Sequence, residues 1–320
     1  MRRSARRNGR RNEGFRNAGR TVAMTKIGFI GLGNMGIPMA LNLKKAGHEV
    51  RGFDVSEAAR AAAGEKGLEL AQSNADAARG AEVVILMLPD GPIVESVAGE
   101  VIPAMEKGAL LIDCSTIDVA TARRLHEKAS QAGILCLDAP VSGGVGGAEA
   151  GTLTFMVGGS PEAFSKGEPL FDAMGSRAVH CGEGGSGQAA KICNNMLLGI
   201  SMIGACEAFS LAKKLGLSQS ALFDVISTSS GSCWSVNTYC PVPGVGPQSP
   251  ADNDYKPGFA ASLMLKDLGL SQQAAEGCDA ATPLGRHAAE LYAAMVDAGE
   301  AGADFSGIIR FLEARRRGEF

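Results

Sequence analysis

A glycine-rich turn near the amino end is the feature that most narrows what this chain can fold into. Residues 26–31 (KIGFIG) are a short apolar run of strand character, and residues 34–46 follow it with a helical pattern that Gly47 closes. Residues 48–54 (HEVRGFD) then have the composition of a second strand. A strand, a helix and a strand within about 30 residues form a βαβ unit, whose crossover makes the two strands parallel.

The alternation of strands and helices continues to about residue 180. Residues 82–88 (EVVILML) and 109–114 (ALLIDC) are apolar runs of strand length, as expected where helices cover both faces of a sheet. The fold class is therefore α/β, with a Rossmann-type doubly wound sheet predicted over residues 25–185. Further strands are predicted at residues 134–138 and 152–158, and helices at residues 118–131 and 161–173.

The second part of the chain has a helical pattern throughout. Residues 186–215 are apolar or small on nearly every face, which is typical of a buried helix, and about 30 residues would span about 45 Å. A Pro/Gly-rich loop occupies residues 231–258, and a loop of this length is usually functional or disordered. We predict an all-α domain over residues 186–320 that binds substrate and mediates oligomerisation. Its further helices are predicted at residues 218–228, 259–276, 282–298 and 304–316.

The first 24 residues differ from the rest in charge. They contain eight arginines and a single acid, Glu13, for a net charge of about +7, whereas the whole chain stands at −3. We predict a disordered Arg-rich arm at residues 1–24 and favour a start of translation at Met24 as its explanation, with a mitochondrial transit peptide as an alternative. The acidic remainder of the chain and the lack of an aromatic partner for the arm argue against nucleic-acid binding.

Composition excludes several other classes of protein. The eight cysteines form no CxxC pair and do not cluster with the four histidines at metal-ligand spacing, so we predict reduced thiols and no metal. No apolar run reaches the roughly 18 uncharged residues typical of a membrane span, so no membrane association is expected. The expected location is the cytoplasm, or the mitochondrial matrix if residues 1–24 are a transit peptide.

Three glycines give the first turn the pattern GxGxxG. The pattern alone is common, but here it directly follows a strand and opens a helix, which is the context that dinucleotide binding requires. Gly31 would allow the tight turn, Gly33 the approach of a pyrophosphate, and Gly36 the packing of helix against strand. Asp54 can accept both ribose hydroxyls and would repel a 2′-phosphate, so we predict NAD rather than NADP. The alternatives are a turn that binds nothing and, for Asp54, a helix cap.

Four ordered motifs resemble those of the β-hydroxyacid dehydrogenase family. They are GFIGLGNMGIPMALNL at residues 28–43, DAPVSGG at 138–144, GSGQAAKICNN at 185–195 and LMLKDLG at 263–269. The resemblance extends from residue 25 to about residue 315. Within the family, the segment SCWSVNTYCPVPG at residues 232–244 is similar to the loop of members that act on 3-hydroxyisobutyrate.

The resemblance assigns the acid–base role to Lys191. This lysine is the only charged residue between residues 184 and 206, inside an apolar helical segment, and burial there would lower its pKa. The resemblance also implies that Asn195, four residues on, binds the substrate hydroxyl and helps to position Lys191, and that Asn194 contacts the substrate. The alternative is a lysine that snorkels from the end of a helix.

The same resemblance implies roles for residues at the ends of several strands. The backbone amides of Ser142, Gly143 and Gly144, with the Ser142 hydroxyl, can hold a carboxylate. Trp234 is assigned to the substrate pocket, with an ordinary core role as the alternative. For Lys266 the alternative is a solvated ion pair with its neighbour in sequence. The residues implied to contact the cofactor are Gly31, Gly33, Asn34, Met35, Gly36, Asp54, Leu88, Pro89, Thr116 and Lys266.

The resemblance as a whole implies an enzyme that uses NAD to oxidise 3-hydroxyisobutyrate to methylmalonate semialdehyde, a step of valine catabolism. The alternatives are reduction of tartronate, glyoxylate or succinic semialdehyde by the same machinery, and a non-catalytic NAD-binding protein. The expected partners are a small β-hydroxy acid and further copies of the chain. A homodimer or homotetramer is expected because one subunit does not supply enough surface to cover the long apolar helix on all sides.

Overall fold

A computed structural model of the chain describes residues 24–315, so the predicted arm lies outside the described residues apart from Met24. The strands in this range are β1 (Lys26–Ile30), β2 (Glu49–Phe53), β3 (Glu69–Leu70), β4 (Val83–Leu86), β5 (Leu110–Asp113), β6 (Leu135–Asp138), β7 (Val141–Ser142), β8 (Leu153–Gly159) and β9 (Gly175–Gly182). The first seven helices are α1 (Gly36–Lys45), α2 (Glu57–Glu65), α3 (Asn74–Ala78), α4 (Gly91–Val101), α5 (Val119–Gln131), α6 (Gly144–Ala150) and α7 (Pro161–Met174). They are followed by α8 (Ser186–Lys214), α9 (Gln219–Thr228), α10 (Trp234–Asn237), α11 (Ala261–Gly277), α12 (Pro283–Met295) and α13 (Ile308–Glu313).

The strands of the described range belong to one sheet. Strands β3, β2, β1, β4, β5 and β6 lie side by side in this order and run parallel. The first strand therefore lies inside the sheet. The chain adds β2 and β3 on one side of β1, then crosses over and adds β4, β5 and β6 on the other side. This is the doubly wound arrangement, in which ligands bind beyond the carboxyl ends of the strands. The sheet then continues with β8, which is antiparallel to β6 and β7 and parallel to β9. The predicted α/β fold class is confirmed.

Helices cover both faces of this sheet. Along β4, Val83 and Ile85 belong to one buried apolar cluster, whereas Val84 and Leu86 belong to another. Because successive side chains of a strand point to opposite faces, the two clusters are the two layers of packing. The first contains side chains of α1, α6 and α7, and the second contains side chains of α3, α4 and α5. Burial on both faces explains why the sequence of these strands is apolar without alternation.

The helices after residue 185 form a third core around α8. The predicted helix at residues 186–215 is found as α8, and Met202 and Phe209 are fully buried on it. The described residues do not cover α8 on all sides, because Leu197 and Leu211 are 63% and 59% exposed. Among residues 24–315, α8 alone is long and apolar enough to cross a membrane, and 44% of its most apolar window is buried in this core. The domain boundary between residues 185 and 186 remains a prediction.

The predicted loop at residues 231–258 is more structured than expected. It contains α10 and a 3₁₀ turn at Pro250–Asn253. The helix predicted at residues 282–298 is also different, because α12 leads into a π-helical turn at Val296–Glu300, where Gly299 has a φ of +94°. The other helices that the pattern predicted lie within a few residues of their expected bounds. The other elements that were not predicted are the strands β3, β7 and β9 and the helices α2, α3, α4 and α6.

Candidate active site

The backbone geometry of the first turn explains why three of its residues are glycines. Gly31 has a φ of +97°, and a Cβ atom there would lie 2.2 Å from the backbone oxygen of Met87. A Cβ atom on Gly36 would lie 1.8 Å from the backbone oxygen of Gly31, so the helix could not approach the strand. A Cβ atom on Gly33 would meet nothing within 4 Å. The open side at Gly33 leaves room for a ligand against the backbone, which fits the pyrophosphate of a dinucleotide.

The two residues that follow Gly33 also lie at this turn. Asn34 is exposed, and Met35 occupies the N-cap position of α1 without a capping hydrogen bond from its side chain. A cavity of about 470 Å³ opens beside Gly33 and Asn34 and is lined further by residues of α1, α2 and α6. The amino end of α1, where the helix dipole is positive, is suited to a phosphate.

Asp54 ends the second strand and faces the same turn. Its Oδ2 accepts a hydrogen bond from the Leu32 backbone N–H at 2.7 Å, and its Oδ1 accepts one from the Ser56 N–H at 2.8 Å. The alternative role as cap of α2 does not hold, because the Ser56 side chain is the N-cap and accepts from the Ala59 N–H. The carboxylate is half-buried and retains free lone pairs that ribose hydroxyls could reach.

A second cavity lies at the carboxyl ends of β2 and β3. Its volume is about 300 Å³, and its lining includes Phe53, Arg60 and Leu70. The Arg60 guanidinium lies over the Phe53 ring at 5.6 Å and donates to the Asp54 backbone oxygen at 2.6 Å. An aromatic face beside the strand that carries Asp54 fits the adenosine half of a dinucleotide. The residues of this edge therefore fit NAD from the pyrophosphate to the ribose.

Lys266 joins the helical part of the chain to the ends of β4 and β5. Its Nζ donates to the backbone oxygens of Pro89 at 2.6 Å and Thr116 at 2.7 Å. The pKa of Lys266 is lowered by burial. Leu88, just before Pro89, donates its N–H to the Ser115 hydroxyl at 2.9 Å. The predicted cofactor residues of both strand ends are thus brought to one place, and Lys266 is not a solvated residue of a surface ion pair.

A buried carboxyl group lies beneath this edge. Asp113 ends β5, its Oδ1 accepts from the Ser115 N–H at 3.0 Å, and its Oδ2 has no hydrogen-bond partner among the described residues. Burial raises the pKa of Asp113 to about 7, and the neighbouring Asp138 on β6 adds to the rise. A carboxyl group without a partner for one oxygen is more stable protonated than ionised in such surroundings.

Lys191 lies one and a half turns into α8, with its ammonium group inside the protein. The residue is 7% exposed, and its Nζ donates to the Val141 backbone oxygen at 2.7 Å. Burial lowers the pKa of Lys191, as expected, and the carboxylate of Asp267 partly opposes this effect. A snorkelling lysine would hold its charged end in water, so that alternative does not describe Lys191. The predicted base therefore lies directly beside Ser142, its predicted neighbour in the substrate site.

Asp267 is a functional candidate that the sequence reasoning missed. Its Oδ2 accepts from Nδ2 of Asn195 at 2.5 Å, and Asn195 in turn accepts from Nδ2 of Asn194 at 2.9 Å. Asp267 is 3% exposed, and burial raises its pKa. The signal was available in the sequence, because Asp267 lies on the stripe of α11 that buries Met264 and Ser271.

The segment Ser142–Gly144 meets the helical part of the chain through its backbone. Gly143 and Gly144 have φ values of +133° and +61°, conformations that favour glycine. A Cβ atom on Gly144 would lie 3.2 Å from the Gly258 backbone oxygen, so the two chain segments lie close together. Ser142 itself is half-buried at the end of β7. Lys191 lies next to this segment through its hydrogen bond to the Val141 backbone oxygen.

Trp234 reaches this region through two residues that the sequence reasoning did not assign. Its ring stacks on Tyr239 with centroids 4.7 Å apart, and Trp234 itself is 49% exposed. The Tyr239 hydroxyl donates to Oδ2 of the fully buried Asp304 at 2.9 Å, and the Gly258 N–H donates to the same oxygen at 2.9 Å. Burial and Asp304 raise the pKa of Tyr239. Trp234 is thus not an ordinary core residue, and its place in the substrate pocket stays a prediction.

Metal-binding clusters are not part of this region. Within residues 24–315, no three His, Cys, Asp or Glu side chains are arranged to hold a metal ion. The polar groups described above are an amine, amides, hydroxyls and single carboxylates. Such a set is suited to proton transfer and to binding of a small anion.

Two family models match the chain. Residues 26–182 match the NAD-binding domain of 6-phosphogluconate dehydrogenase, and residues 185–312 match the NAD-binding region of NADP-dependent 3-hydroxyisobutyrate dehydrogenase. A 3-hydroxyisobutyrate dehydrogenase of Pseudomonas aeruginosa is 51% identical over 297 residues, which cover 91% of this chain and 100% of that protein. The chain belongs to the β-hydroxyacid dehydrogenase family.

Two further proteins similar to this dehydrogenase have names that mention L-serine. A solved structure of 3-hydroxyisobutyrate dehydrogenase from Mycobacterium tuberculosis with L-serine has a TM-score of 0.87 and 50% identity, and covers 90% of this chain and 99% of that one. An NAD-dependent L-serine dehydrogenase of P. aeruginosa is 45% identical over 293 residues, 91% of this chain and 98% of that protein. The predicted family and nicotinamide cofactor are confirmed, and the roles of individual residues stay predictions.

Proposed function

We propose that this dehydrogenase oxidises 3-hydroxyisobutyrate to methylmalonate semialdehyde with NAD. The observation that carries the proposal is the buried Lys191 amine, 2.7 Å from the Val141 backbone oxygen and directly beside Ser142. The proposal is also supported by the names of relatives that are 51% identical over 91% of the chain.

Each group of residues has a defined task in this reaction. Bound NAD supplies the chemistry by accepting a hydride from the alcohol carbon. Burial lowers the pKa of Lys191 and so favours its neutral form. In that form Lys191 takes the hydroxyl proton on Nζ, and in the reverse direction it returns that proton to the carbonyl oxygen. Asn195, held by Asp267, donates to the substrate oxygen. The backbone amides and hydroxyl of Ser142–Gly144 hold the substrate carboxylate.

The preference for NAD over NADP belongs to the same proposal. Asp54 is anchored by the Leu32 and Ser56 N–H groups, which hold its carboxylate at the end of β2. A fixed negative charge at this position accepts hydrogen bonds from ribose hydroxyls and repels a 2′-phosphate. The remaining cofactor contacts proposed are Gly31, Gly33, Asn34, Met35, Gly36, Leu88, Pro89, Thr116 and Lys266.

L-Serine is the second candidate substrate. It carries the same β-hydroxyl and carboxylate, and it is named with one relative and with one solved structure. The site residues proposed above would handle its hydroxyl in the same way. Reduction of tartronate, glyoxylate or succinic semialdehyde uses the same lysine in the opposite direction and stays a third possibility.

The test is a panel of initial rates with NAD and NADP. The substrates are 3-hydroxyisobutyrate, L-serine, glycerate and 4-hydroxybutyrate, each with the wild type and with Lys191→Ala. The proposal predicts fast NAD-linked turnover of 3-hydroxyisobutyrate that the variant loses. Faster turnover of another hydroxy acid would replace the substrate and keep the mechanism, whereas no turnover of any would favour a non-catalytic NAD-binding protein.

We also propose that the enzyme is at least a homodimer built through its helical part. No residue of α9 is buried in the described part of the chain, and the neighbouring α8 exposes Leu197 and Leu211. Leu215 follows on this surface and is 74% exposed. Exposed large apolar side chains on neighbouring helices are typical of a protein interface. The proposed location is the cytoplasm, or the mitochondrial matrix if residues 1–24 direct import.

A further inference from the structure

Gln188 is a fully buried side chain to which neither the motifs nor the reaction gives a task. Its Nε2 donates to the Ser115 backbone oxygen at 2.7 Å, and its Oε1 accepts from the Ile117 backbone N–H at 3.1 Å. Gln188 is 0% exposed. One amide thus binds the peptide groups on both sides of Thr116, in the turn that follows β5.

The main chain of Gln188 is fixed as firmly as its side chain. Its N–H donates to Oδ2 of the buried Asp138 at 2.9 Å, and the Gly185 N–H donates to Oδ1 of the same carboxylate at 2.8 Å. The first turn of α8 is therefore attached to the end of β6 by its backbone and to the end of β5 by Gln188. Lys191 lies three residues further on, less than one helical turn away.

The turn around Thr116 is held from a second direction by Lys266. Lys266 donates to the Thr116 backbone oxygen, and the adjacent Asp267 accepts from Asn195 of α8. The contacts form a closed ring that runs from the Thr116 turn through Gln188 to α8, across Asn195 to α11, and back through Lys266. A change at any point of the ring moves the cofactor turn and the lysine relative to each other.

We propose that Gln188 is a positioning residue that couples the cofactor-binding turn at Thr116 to the catalytic lysine of α8. The proposal rests on the functions proposed for Thr116 and Lys191. Only a side chain with a donor and an acceptor satisfies both peptide groups, because a carboxylate lacks the donor and an ammonium group lacks the acceptor. Loss of either bond leaves a buried peptide group unpaired, and the turn shifts to find another partner.

The first experiment replaces Gln188 by methionine, which has a similar length and no amide. We expect the dissociation constant of NADH, measured by fluorescence without substrate, to rise about 10-fold, and kcat to fall by about 10-fold. We expect KM for the hydroxy acid to change less than the dissociation constant of NADH, since Asn195 is the only proposed substrate contact in the ring and the Ser142–Gly144 segment lies outside it. Gln188→Leu lacks both the donor and the acceptor, so it should bind NADH no better than Gln188→Met.

Gln219→Met is the matched control. The Gln219 amide also donates to a backbone oxygen, that of Phe209 at 3.2 Å, but it lies on α9 away from the ring. A comparable drop in melting temperature for both variants, with altered NADH binding and kcat only for Gln188→Met, supports the proposal. Unchanged NADH binding and kcat in folded Gln188→Met, or wild-type NADH binding by Gln188→Leu, would overturn it. NADH binding needs no substrate, so it decides the matter even if 3-hydroxyisobutyrate is not turned over.

Discussion

Asn195 on α8 donates a hydrogen bond to Asp267 on α11 across 2.5 Å, although the two residues are 72 positions apart in the sequence. Both are buried, at 2% and 3% exposure. The same Asp267 opposes the effect of burial on the pKa of Lys191. One carboxylate therefore orients the amide that we propose faces the substrate and also raises the pKa of the proposed base, so the proposed chemistry depends on how α11 packs against α8.

Replacement of Lys191 by methionine should lower kcat by about 10³-fold, since a positioned acid–base group contributes about 10²–10⁴-fold. NADH binding should change little, because Lys191 contacts no residue of the first turn in the described structure. The wild-type kcat for oxidation should rise with pH through the lowered pKa of Lys191 and then level off, because the neutral amine is the base. Lys214→Met, at the exposed end of α8, is the control. Retention of more than about a tenth of kcat in Lys191→Met would remove the lysine from the mechanism.

Asp267→Asn should shift the pH dependence of kcat towards lower pH. The carboxylate raises the pKa of Lys191, so its removal lets that pKa fall further and leaves the base neutral in more acidic solution. The plateau of kcat should fall by about 10-fold, because Asn195 loses its charged acceptor. The measurement is kcat against pH, with the exposed Asp279→Asn as control. A shift towards higher pH would contradict this account of the pair.

Asp54→Asn should weaken the preference for NAD. The substitution removes the charge that repels a 2′-phosphate, and we expect the ratio of kcat/KM for NAD over NADP to fall by about 10-fold or more. The amide oxygen can still accept from the Leu32 N–H, so the first turn should persist. Glu57→Gln, an exposed residue of α2, removes the same charge nearby and should leave the ratio unchanged. Equal ratios for the wild type and Asp54→Asn would refute the role of Asp54.

Asp113 should make folding less favourable as the solution is brought from acid to neutral pH. Its pKa is about 7 in the folded protein against an ordinary 3.8, so the folded state holds a proton that the unfolded state releases in this window. Its contribution is fully present below about pH 4 and is lost as pH rises to about 7, by at most about 4 kcal/mol. In Asp113→Asn the free energy of unfolding, measured with urea across this range, should decline less. An equal decline in both proteins would place the ionisation elsewhere.

Leu211→Glu should lower the mass of the enzyme in solution. Leu211 is 59% exposed on α8 beside α9, and a charge there disfavours burial against a second subunit. We expect a dimer or larger species for the wild type at micromolar concentration by light scattering, and a smaller species for the variant. Ile93→Glu, which places a charge on an exposed residue of α4, is the control. A monomeric wild type would refute the proposed assembly.

The parts of the fold that follow from local pattern were accessible from the sequence. Gly31 and Gly36 stand where the backbone leaves no room for a side chain, and such positions are recognisable from spacing alone. The long helix was predicted within one residue of its observed end at Lys214. Lys191 was identifiable because a lone charge within an apolar helix needs an explanation, either functional or structural.

The remaining features depend on contacts between distant segments. Tyr239 and Asp304 are 65 residues apart, and no local pattern indicates that the carboxylate of one holds the hydroxyl of the other. The strand β9 was missed because it pairs only with β8 in the described structure, and its exposed side chains lack an apolar pattern. The helix α10 consists of four residues, too few for a helical period to be visible.

The catalytic face of α8 has a consequence for how such enzymes diverge. Gln188, Lys191 and Asn195 lie along one continuous helix, in which each residue turns the next by about 100°. The insertion or deletion of a single residue between them would rotate the amine out of register with the cofactor turn, and no neighbouring substitution restores it. The loop that carries Trp234 has no such constraint. We therefore expect members of this family to differ in substrate through changes in that loop. The spacing between residues 188, 191 and 195 should stay constant.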